Sequence, residues 1–452
     1  MKPILLKDIA DACGGEFFGD ESLLQKNIYN ISTNSNEIGE NTLFVPIVGE
    51  KFDAHDFIGT AFENGCMCTL SAKKLDRGSY ILVEDTLRAF RDIAEYYRGL
   101  FDVKVVAITG SVGKTTAKEM MAAVLSQKYS VLKNEGNFNN EIGLPKTLLN
   151  LESYHEIAVV EMGMNSFGEI SRLSKTARPD ICIIMNIGDA HIGKLGSREG
   201  IFRAKSEIFD YMKDDGKVFL YGDDDMLVKL NESDFSPVFF GEDSRNHVRV
   251  KQMNHSDIEG TEITADIMGE YVDIKIPVPG SYMIPAVLCA AAVGKSLGLS
   301  SYEIQQGVLS YQPAKMRKEI IKTDSLTIIN DAYNACEDSI IAALQLLELA
   351  EGRKTAILGD ILEVGEHGAR VHYSVGKRAG DSGVDVIICC GEQSLHTYNG
   401  VTENSQKQAY YFEDKEKMHA ELRDIIKVGD TVLVKASRGC RFEETVEHLK
   451  TL

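Results

Sequence analysis

Apolar and polar positions alternate along this chain in blocks that predict strands and helices in turn. The apolar run VKVVAIT is followed by KTTAKEMMAAVLSQK, where Met120, Met121, Val124 and Leu125 fall on one face of a helix. The runs EIAVVEMG and DICIIMNIG then flank a more polar helical stretch, SFGEISRLSKTA. Strands that alternate with helices form right-handed βαβ units and a parallel sheet. The pattern therefore predicts an α/β fold.

Two changes in this pattern divide the chain into three predicted domains. Residues 1–98 mix short apolar runs with turns and end in a helix predicted over 86–97, as in a small α/β domain. Residues 99–312 carry the alternation above, a possible antiparallel pair, ITADIMG and YVDIKIPV, and a helix, MIPAVLCAAAVGKSL. Residues 313–452 begin a third strand–helix series that is Rossmann-like but has no GxGxxG, so dinucleotide binding is not supported there.

Composition and net charge exclude some classes of binding partner. At 452 residues the chain is too long for one ordinary core, and its net charge of −19 would repel a nucleic-acid backbone. No run approaches the roughly 18 apolar residues of a membrane span, and the start, MKPILLKDIADACGG, is unlike a signal peptide. The nine cysteines include no CxxC pair, as expected for reduced thiols in a cytoplasmic protein. Any anionic ligand must be held by local donors.

The stretch AITGSVGKTT has the chemistry of a phosphate-binding loop. Gly110 and Gly113 allow a tight turn, Lys114 supplies a cation, and Thr115 supplies a hydroxyl for Mg²⁺. The usual GxxxxGK[ST] pattern would need glycine where Ile108 stands, so a glycine turn between a strand and a helix is the alternative. The preceding strand and following helix favour the phosphate loop.

Three later residues are candidates for metal and acid–base chemistry. Glu161 ends a predicted strand and could hold Mg²⁺, although a glutamate at a helix N-terminus is an alternative. His191 follows the next strand and is either a functional residue or a solvated or capping loop histidine. Lys205 falls in an apparent helix, FRAKSEIF, where residue type alone predicts a solvated surface charge.

The asparagine-rich stretch GNFNNEIGLP follows the first predicted crossover. Asn137, Asn139 and Asn140 bring amides that can read sugar hydroxyls or carbonyls without adding charge. The alternative is a turn in which asparagine tolerates left-handed backbone. Residue type leaves both interpretations open.

Taken together, the motifs resemble those of the Mur ligases of bacterial cell-wall synthesis. That family has a TG[ST]xGKT loop whose first glycine lies four places before the lysine, as Gly110 and Lys114 do here. The resemblance spans nearly the whole chain. Its motifs occur in the order TLFVPIVGEKFDAHDFI, AFENG, TGSVGKTTAKEM, EGNFNNEIGLPKTLL, EMGMNSFGEI, NIGDAHIGKLGSREGIFRAKSEIF, NDAYNACEDSI, ILGDILEVGE and VLVKASRG.

The resemblance implies a reaction. ATP phosphorylates the terminal carboxylate of a UDP-linked muramoyl tripeptide, and the amine of D-alanyl-D-alanine attacks the acyl phosphate. Amide, ADP and phosphate are the products, and the amide product is a precursor of peptidoglycan. The implied cofactors are ATP and Mg²⁺, the implied partners are these small molecules, and we expect a cytoplasmic monomer.

The resemblance also assigns residues. The implied catalytic residues are Lys114, Glu161, His191 and Lys205. The implied metal ligands are Thr115, Glu161, His191 and Lys205 as its carbamate. The implied ATP-binding residues are Gly110, Ser111, Val112, Gly113, Lys114, Thr115 and Thr116, with Arg317, Asp331 and Asn334 from a C-terminal domain that closes over ATP. The implied residues for the UDP-linked substrate are Ser35, Asn137, Asn139 and Asn140.

This sequence departs from the family pattern at two places, where the uridine end of the substrate and the adenine of ATP are expected to bind. Asn34-Ser35-Asn36 replaces Asp-Ser-Arg, and Tyr282 and Ala286 replace a histidine and an asparagine expected near adenine. YNANP has become YNACE. These changes support an alternative, a paralogue with the same acyl-phosphate chemistry on a different acid or amine. A regulatory protein with a dead site is disfavoured because the four catalytic residues are retained.

Overall fold

A computed structural model describes residues 1–49, 52–232, 234–256, 260–313 and 315–452. The chain divides into two compact units. The first comprises Met1–Thr109, Tyr129–Ile183 and Ser206–Lys217, and the second comprises Gly110–Lys128, Ile184–Lys205 and Val218–Leu452. Among the described residues, no helix has the length and apolar character needed to cross a membrane.

The N-terminal part of the first unit forms a small mixed sheet with helices. Its strands are β1 Ile4–Leu5, β2 Glu16–Phe18, β3 Asn27–Ile28, β4 Asn30–Ser32, β5 Thr42–Phe44, β6 Cys68–Ser71 and β7 Tyr80–Leu82. Its helices are α1 Leu6–Cys13, α2 Ile58–Glu63 and α3 Thr86–Gly99. Five strands pair in the order β2-β7-β6-β5-β4, with only β2 antiparallel to its neighbour. The helix predicted over 86–97 is confirmed as α3, and the carboxylate of Asp85 caps its N-terminus by accepting the Leu87 and Arg88 amides.

The middle of the chain supplies the strand–helix alternation that the sequence predicts. Its strands are β8 Lys104–Thr109, β9 Val131–Lys133, β10 Ile157–Glu161, β11 Ile181–Ile184, β12 Lys217–Tyr221, β13 Val238–Gly241, β14 Val248–Ser256, β15 Thr261–Ile267 and β16 Glu270–Ile276. Its helices are α4 Lys114–Leu125, α5 Gly143–Leu148, α6 Glu169–Ala177, α7 Ile192–Leu195, α8 Arg198–Ser206, α9 Ile284–Ser296 and α10 Ser301–Leu309.

Strand pairing within each unit follows the hydrophobic pattern. In the first unit β10 is parallel to both β8 and β9, and β8 and β10 are buried along most of their length. In the second unit β12, β13 and β14 pair in parallel, while β14, β15 and β16 are antiparallel. The predicted antiparallel pair is confirmed as β15 and β16.

Ion pairs join α3 to α6 within the first unit. The Lys175 ammonium lies 3.2 Å from an Asp92 carboxylate oxygen, and an Arg178 guanidinium nitrogen lies 2.5 Å from Glu95. Each pair is partly exposed and therefore contributes little to stability on its own.

The C-terminal part of the second unit is a Rossmann-like layer structure. Its strands are β17 Glu319–Lys322, β18 Thr327–Asn330, β19 Lys354–Gly359, β20 Val386–Cys390, β21 Gln408–Phe412 and β22 Thr431–Lys435. Its helices are α11 Glu337–Glu348, α12 Gly368–Asp381, α13 Ser394–Asn404, α14 Lys415–Ile425 and α15 Glu443–Leu449. The sheet order is β17-β18-β22-β19-β20-β21, with β17 alone antiparallel. Separate buried apolar clusters cover the two faces.

Candidate active site

The predicted phosphate loop, residues 110–116, leads directly into α4. Gly110 has φ of 155°, and a Cβ atom there would lie 2.9 Å from the Met185 Cβ, so no other residue fits without displacement. Gly113 has φ of 82° and precedes the first residue of the helix. The loop amides therefore gather at a helix N-terminus, where an anion is stabilised.

Asn186, just after β11, fixes the shape of this loop. Its Oδ1 accepts the Val112 amide at 2.8 Å, and its Nδ2 donates to the Val112 carbonyl at 2.9 Å. The Ser111 amide donates to the Asn186 carbonyl at 3.1 Å, and the Gly188 amide donates to the Ser111 hydroxyl at 2.9 Å. Our sequence analysis missed Asn186, although its place after a predicted strand in NIGDAH was the available signal.

Two lysines converge on one carbonyl of the loop. The Lys114 ammonium donates to the Gly110 carbonyl at 2.7 Å, and the Lys205 Nζ donates to the same oxygen at 2.9 Å. Lys205 is only 2% exposed, so the surface charge that residue type predicted is wrong. It is wrong because Lys205 lies on the buried face of α8, where Ala204 is also buried.

The environment of Lys205 favours its neutral form. Burial, and secondarily the charge of Lys114, lowers the pKa of Lys205 well below its usual value. A neutral amine is the form that attacks carbon dioxide to give a carbamate. The site thus fits the modification that the family resemblance implies, which stays a prediction.

His191 lies at the start of α7 with left-handed backbone, φ 67°. Burial, together with the charges of Lys114, Lys205 and Lys194, lowers the pKa of His191 to about 4. The imidazole is therefore neutral near pH 7, which is the state that coordinates metal ions. Its Nδ1 lies 3.8 Å from a carboxylate oxygen of Glu363.

Glu161 is the last residue of β10 and is 2% exposed, so the alternative of a helix N-terminal glutamate is wrong. It pairs in register with Ile108 of β8. Asn139 donates from Nδ2 to Glu161 Oε1 at 2.7 Å, and Asn134 Oδ1 accepts the Glu161 amide at 2.9 Å. Two asparagines thus hold the backbone and the side chain of this carboxylate.

The three predicted asparagines have different surroundings. Asn140 Oδ1 accepts the Ile142 and Gly143 amides at 3.1 and 2.8 Å and so stabilises the start of α5. Asn137 is exposed. Left-handed backbone in this stretch falls on Gly136, with φ of 50°, and on none of the three asparagines. Left-handed backbone therefore does not explain the three asparagines, although Asn140 has a local structural role at the start of α5.

The predicted C-terminal residues cluster beyond the end of β18. Asp331 is buried, accepts the Lys435 ammonium at 2.6 Å, and accepts the Lys318 amide at 3.2 Å. Lys435 also donates to the Asn334 carbonyl at 2.9 Å. The Arg317 guanidinium lies 4.0 Å from the centre of a tyrosine ring, Tyr333. The structure thus brings Arg317, Asp331 and Asn334 together.

The two positions near the expected adenine carry neither the histidine nor the asparagine of the family pattern. The Lys318 Nζ lies over the Tyr282 ring, 3.4 Å from its centre, and Ala286 is buried in α9. Burial lowers the pKa of Lys318 to about 7, while the Asp331 charge opposes that shift. Tyr282 also packs against the apolar core of the C-terminal part.

In the N-terminal part, Ser35 lies in a turn that its neighbours build. The Asn36 amide donates to Asn34 Oδ1 at 3.0 Å, and Asn64 donates to the Ser35 carbonyl at 2.9 Å. The Asn34 side chain is therefore used within the turn as an acceptor, a role that an aspartate would also fill, so the structure does not explain this replacement.

These features define the class of protein. A glycine loop with a lysine and a threonine leads into a helix, which is the arrangement typical of nucleotide-phosphate loops, and the buried Lys205 donates to the same loop carbonyl as Lys114. The model of the Mur ligase middle domain matches residues 108–294, and that of the Mur ligase glutamate ligase domain matches residues 316–438. The chain belongs to the Mur ligase family, whose members are ATP-dependent ligases forming C–N bonds.

Relatives and solved structures match over the full length. UDP-N-acetylmuramoyl-tripeptide–D-alanyl-D-alanine ligase of Bacillus subtilis (strain 168) is 37% identical, covering 98% of each chain. A crystal structure of MurF from Acinetobacter baumannii has a TM-score of 0.94 at 29% identity, covering 100% of each chain. MurF from Thermotoga maritima in complex with ADP has a TM-score of 0.84 at 28% identity, covering 93% of this chain and 97% of that one. The predicted α/β fold is confirmed.

Proposed function

We propose that this protein is an ATP-dependent ligase that adds D-alanyl-D-alanine to a UDP-N-acetylmuramoyl-tripeptide in the synthesis of peptidoglycan precursors. The observation that carries the proposal is the 37% identity to the Bacillus subtilis ligase across 98% of both chains. The phosphate loop and the buried Lys205 support it independently, because both suit the chemistry of that reaction.

The chemistry proceeds by activation of an acid. A carboxylate oxygen of the tripeptide attacks the γ-phosphorus of ATP, the bond to the β-phosphate oxygen breaks, and ADP leaves. The D-alanyl-D-alanine amine then attacks the acyl carbon, loses a proton, and expels phosphate as the amide forms. Lys114 and the loop amides stabilise the negative charge on the transferred phosphoryl group.

We assign the metal ligands as Thr115, Glu161, His191 and Lys205 as its carbamate. The donors fit, because hydroxyl, carboxylate and carbamate oxygens are ligands that Mg²⁺ prefers and His191 is neutral. Within the described residues, no cluster of three or more histidine, cysteine, aspartate or glutamate side chains forms a metal site. Bound Mg²⁺ would offset charge on the phosphates.

We assign Arg317, Asp331 and Asn334 to the ATP site, together with Gly110, Ser111, Val112, Gly113 and Thr116 of the loop. Asp331 and Lys435 form a buried pair that fixes the backbone at Asn334. A C-terminal domain that closes over ATP would exclude water, which otherwise hydrolyses the acyl phosphate.

We assign Ser35, Asn137, Asn139 and Asn140 to binding of the UDP-linked substrate.

We assign the three domains to residues 1–98, 99–312 and 313–452. The self-contained five-stranded and six-stranded sheets at the two ends support that division. Nine free cysteines support a cytoplasmic location, and a monomer is our working assignment.

A second candidate keeps the chemistry and changes the substrate. The observation favouring it is Tyr282, whose ring is covered by Lys318 where the family has a histidine near adenine. Such a paralogue would join a different acid or amine.

Phosphate release with substrates omitted one at a time separates these candidates. We expect release to require both the UDP-linked tripeptide and D-alanyl-D-alanine, with the amide product identified by mass spectrometry. Equally fast release with unrelated acids and amines would overturn the first candidate and favour the second.

A further inference from the structure

The contact between Asn139 and Glu161 has a role that the reaction alone does not assign. We propose that Asn139 is a positioning residue that orients the Glu161 carboxylate toward a divalent cation. The inference rests on the proposed metal role of Glu161. The asparagine loop, residues 134–143, then orients a metal ligand, in addition to any contact that it makes with the sugar-linked substrate.

The hydrogen bond is short and the surrounding backbone leaves room for it. Asn139 Nδ2 lies 2.7 Å from Glu161 Oε1. The Gly163 amide donates to the Asn139 carbonyl at 2.8 Å, and a Cβ atom at Gly163 would lie 3.0 to 3.1 Å from the Asn139 amide atoms. Glycine at 163 therefore lets the amide approach the carboxylate.

Asn134 ties the loop to the end of the strand. Its Oδ1 accepts the Glu161 amide at 2.9 Å, while its Nδ2 donates to the Phe138 carbonyl at 2.9 Å. Asn134 itself is fully buried. The Asn134 side chain thus holds both Phe138, which precedes Asn139, and Glu161, and so fixes the distance between them.

Charged groups anchor the other end of the loop. Glu141 accepts the Arg91 guanidinium at 2.6 Å and the Arg172 Nε at 2.5 Å. Arg91 belongs to α3 and Arg172 to α6. A loop held at both ends loses little entropy when it orients a ligand, which is the condition for a preorganised site.

An amide side chain, as in Asn139, is well suited to orienting a carboxylate that binds a metal ion. A carboxamide donates a hydrogen bond without bringing a positive charge, so it does not compete with a cation for the Glu161 side chain. A lysine or arginine in that place would compete with the cation electrostatically. Partners that orient metal ligands change metal affinity or activity by about 10- to 100-fold when removed.

The test is a double-mutant cycle on cation binding. Mn²⁺, which shares the oxygen preference of Mg²⁺, is titrated into the full-length protein with ADP, and free Mn²⁺ is followed by electron paramagnetic resonance. We expect Asn139→Ala to weaken Mn²⁺ binding about 10- to 100-fold, and Asn139→Ala to add nothing further in a Glu161→Gln background. Asn150→Ala is the control, since Asn150 is exposed and its side chain donates to the Lys146 carbonyl in α5.

Gly163→Ala provides a second perturbation if Asn139→Ala unfolds, because the added Cβ presses on the amide while leaving it present. We expect weaker Mn²⁺ binding there too, by a smaller factor. Unchanged Mn²⁺ binding in Asn139→Ala, with a raised KM for the UDP-linked substrate, would overturn the inference. Unchanged Mn²⁺ binding in Glu161→Gln would instead overturn the proposed metal role of Glu161.

Discussion

At the scale of single residues, the environment decides chemistry that residue type leaves open. Lys205 looks like a surface lysine in the sequence, but burial, and secondarily the charge of Lys114, lowers its pKa well below the usual value. Burial depends on which face of α8 meets the rest of the unit, and a short amphipathic stretch does not fix that face. Only the family resemblance predicted a special role for this residue.

Removal of the Lys114 ammonium tests the loop at this scale. We expect Lys114→Ala to lower kcat about 10²- to 10³-fold, the usual cost of losing one preorganised charge-stabilising group. Thermal unfolding should stay close to that of the wild type. Lys104→Ala, an exposed lysine at the start of β8, is the control and should keep full activity. A fully active Lys114→Ala variant would contradict the site assignment.

The lowered pKa of Lys318 predicts that the free energy of unfolding depends on pH. Its folded pKa is about 7, below the usual value near 10.4 in unfolded chains. Between these values the unfolded chain binds the extra proton, so this group makes the free energy of unfolding rise with pH from about 7 to about 10.

Lys318→Met should therefore be more stable than the wild type at pH 6. The pKa difference sets the scale at roughly 1.4 kcal/mol per unit, reduced by the loss of the contact with the Tyr282 ring. The advantage should shrink as the pH is raised toward 10, as measured by denaturant titration. A stability difference that is constant from pH 6 to 10 would show that Lys318 keeps an ordinary pKa.

At the scale of elements, the hydrophobic pattern predicts most of the strands and helices. The strand β10, the helix α4 and the antiparallel pair β15 and β16 all match the pattern because buried faces impose a period on the sequence. Contacts between side chains of different elements carry no such period. Asn186 with Val112, and Asn139 with Glu161, therefore emerged only from the structure.

Asn186→Ala tests whether the loop depends on its neighbouring element. Two side-chain hydrogen bonds to Val112 would be lost, each worth about 1 kcal/mol. We expect weaker ADP binding by calorimetry and a lower free energy of unfolding by about 1 to 3 kcal/mol. Asn150→Ala should change neither quantity. Wild-type ADP affinity in Asn186→Ala would mean that the loop holds its shape alone.

At the scale of the whole molecule, an acidic protein must bind acidic substrates. With a net charge of −19, attraction cannot come from the overall field, so local donors such as the loop amides and Lys114 must hold the phosphates. The order of motifs along the full chain predicted the family. We expect substrate identity to depend on side chains around Asn34, Asn36 and Tyr282, where this sequence departs from the family pattern.

The central claim is that ATP activates the acid through an acyl phosphate. The direct measurement uses UDP-linked tripeptide labelled with ¹⁸O in its terminal carboxylate, incubated with ATP, Mg²⁺ and D-alanyl-D-alanine. Mass spectrometry of the released phosphate should show one ¹⁸O atom transferred from the carboxylate, with the amide product formed in equal amount. Phosphate that carries no label while the amide forms would contradict the account.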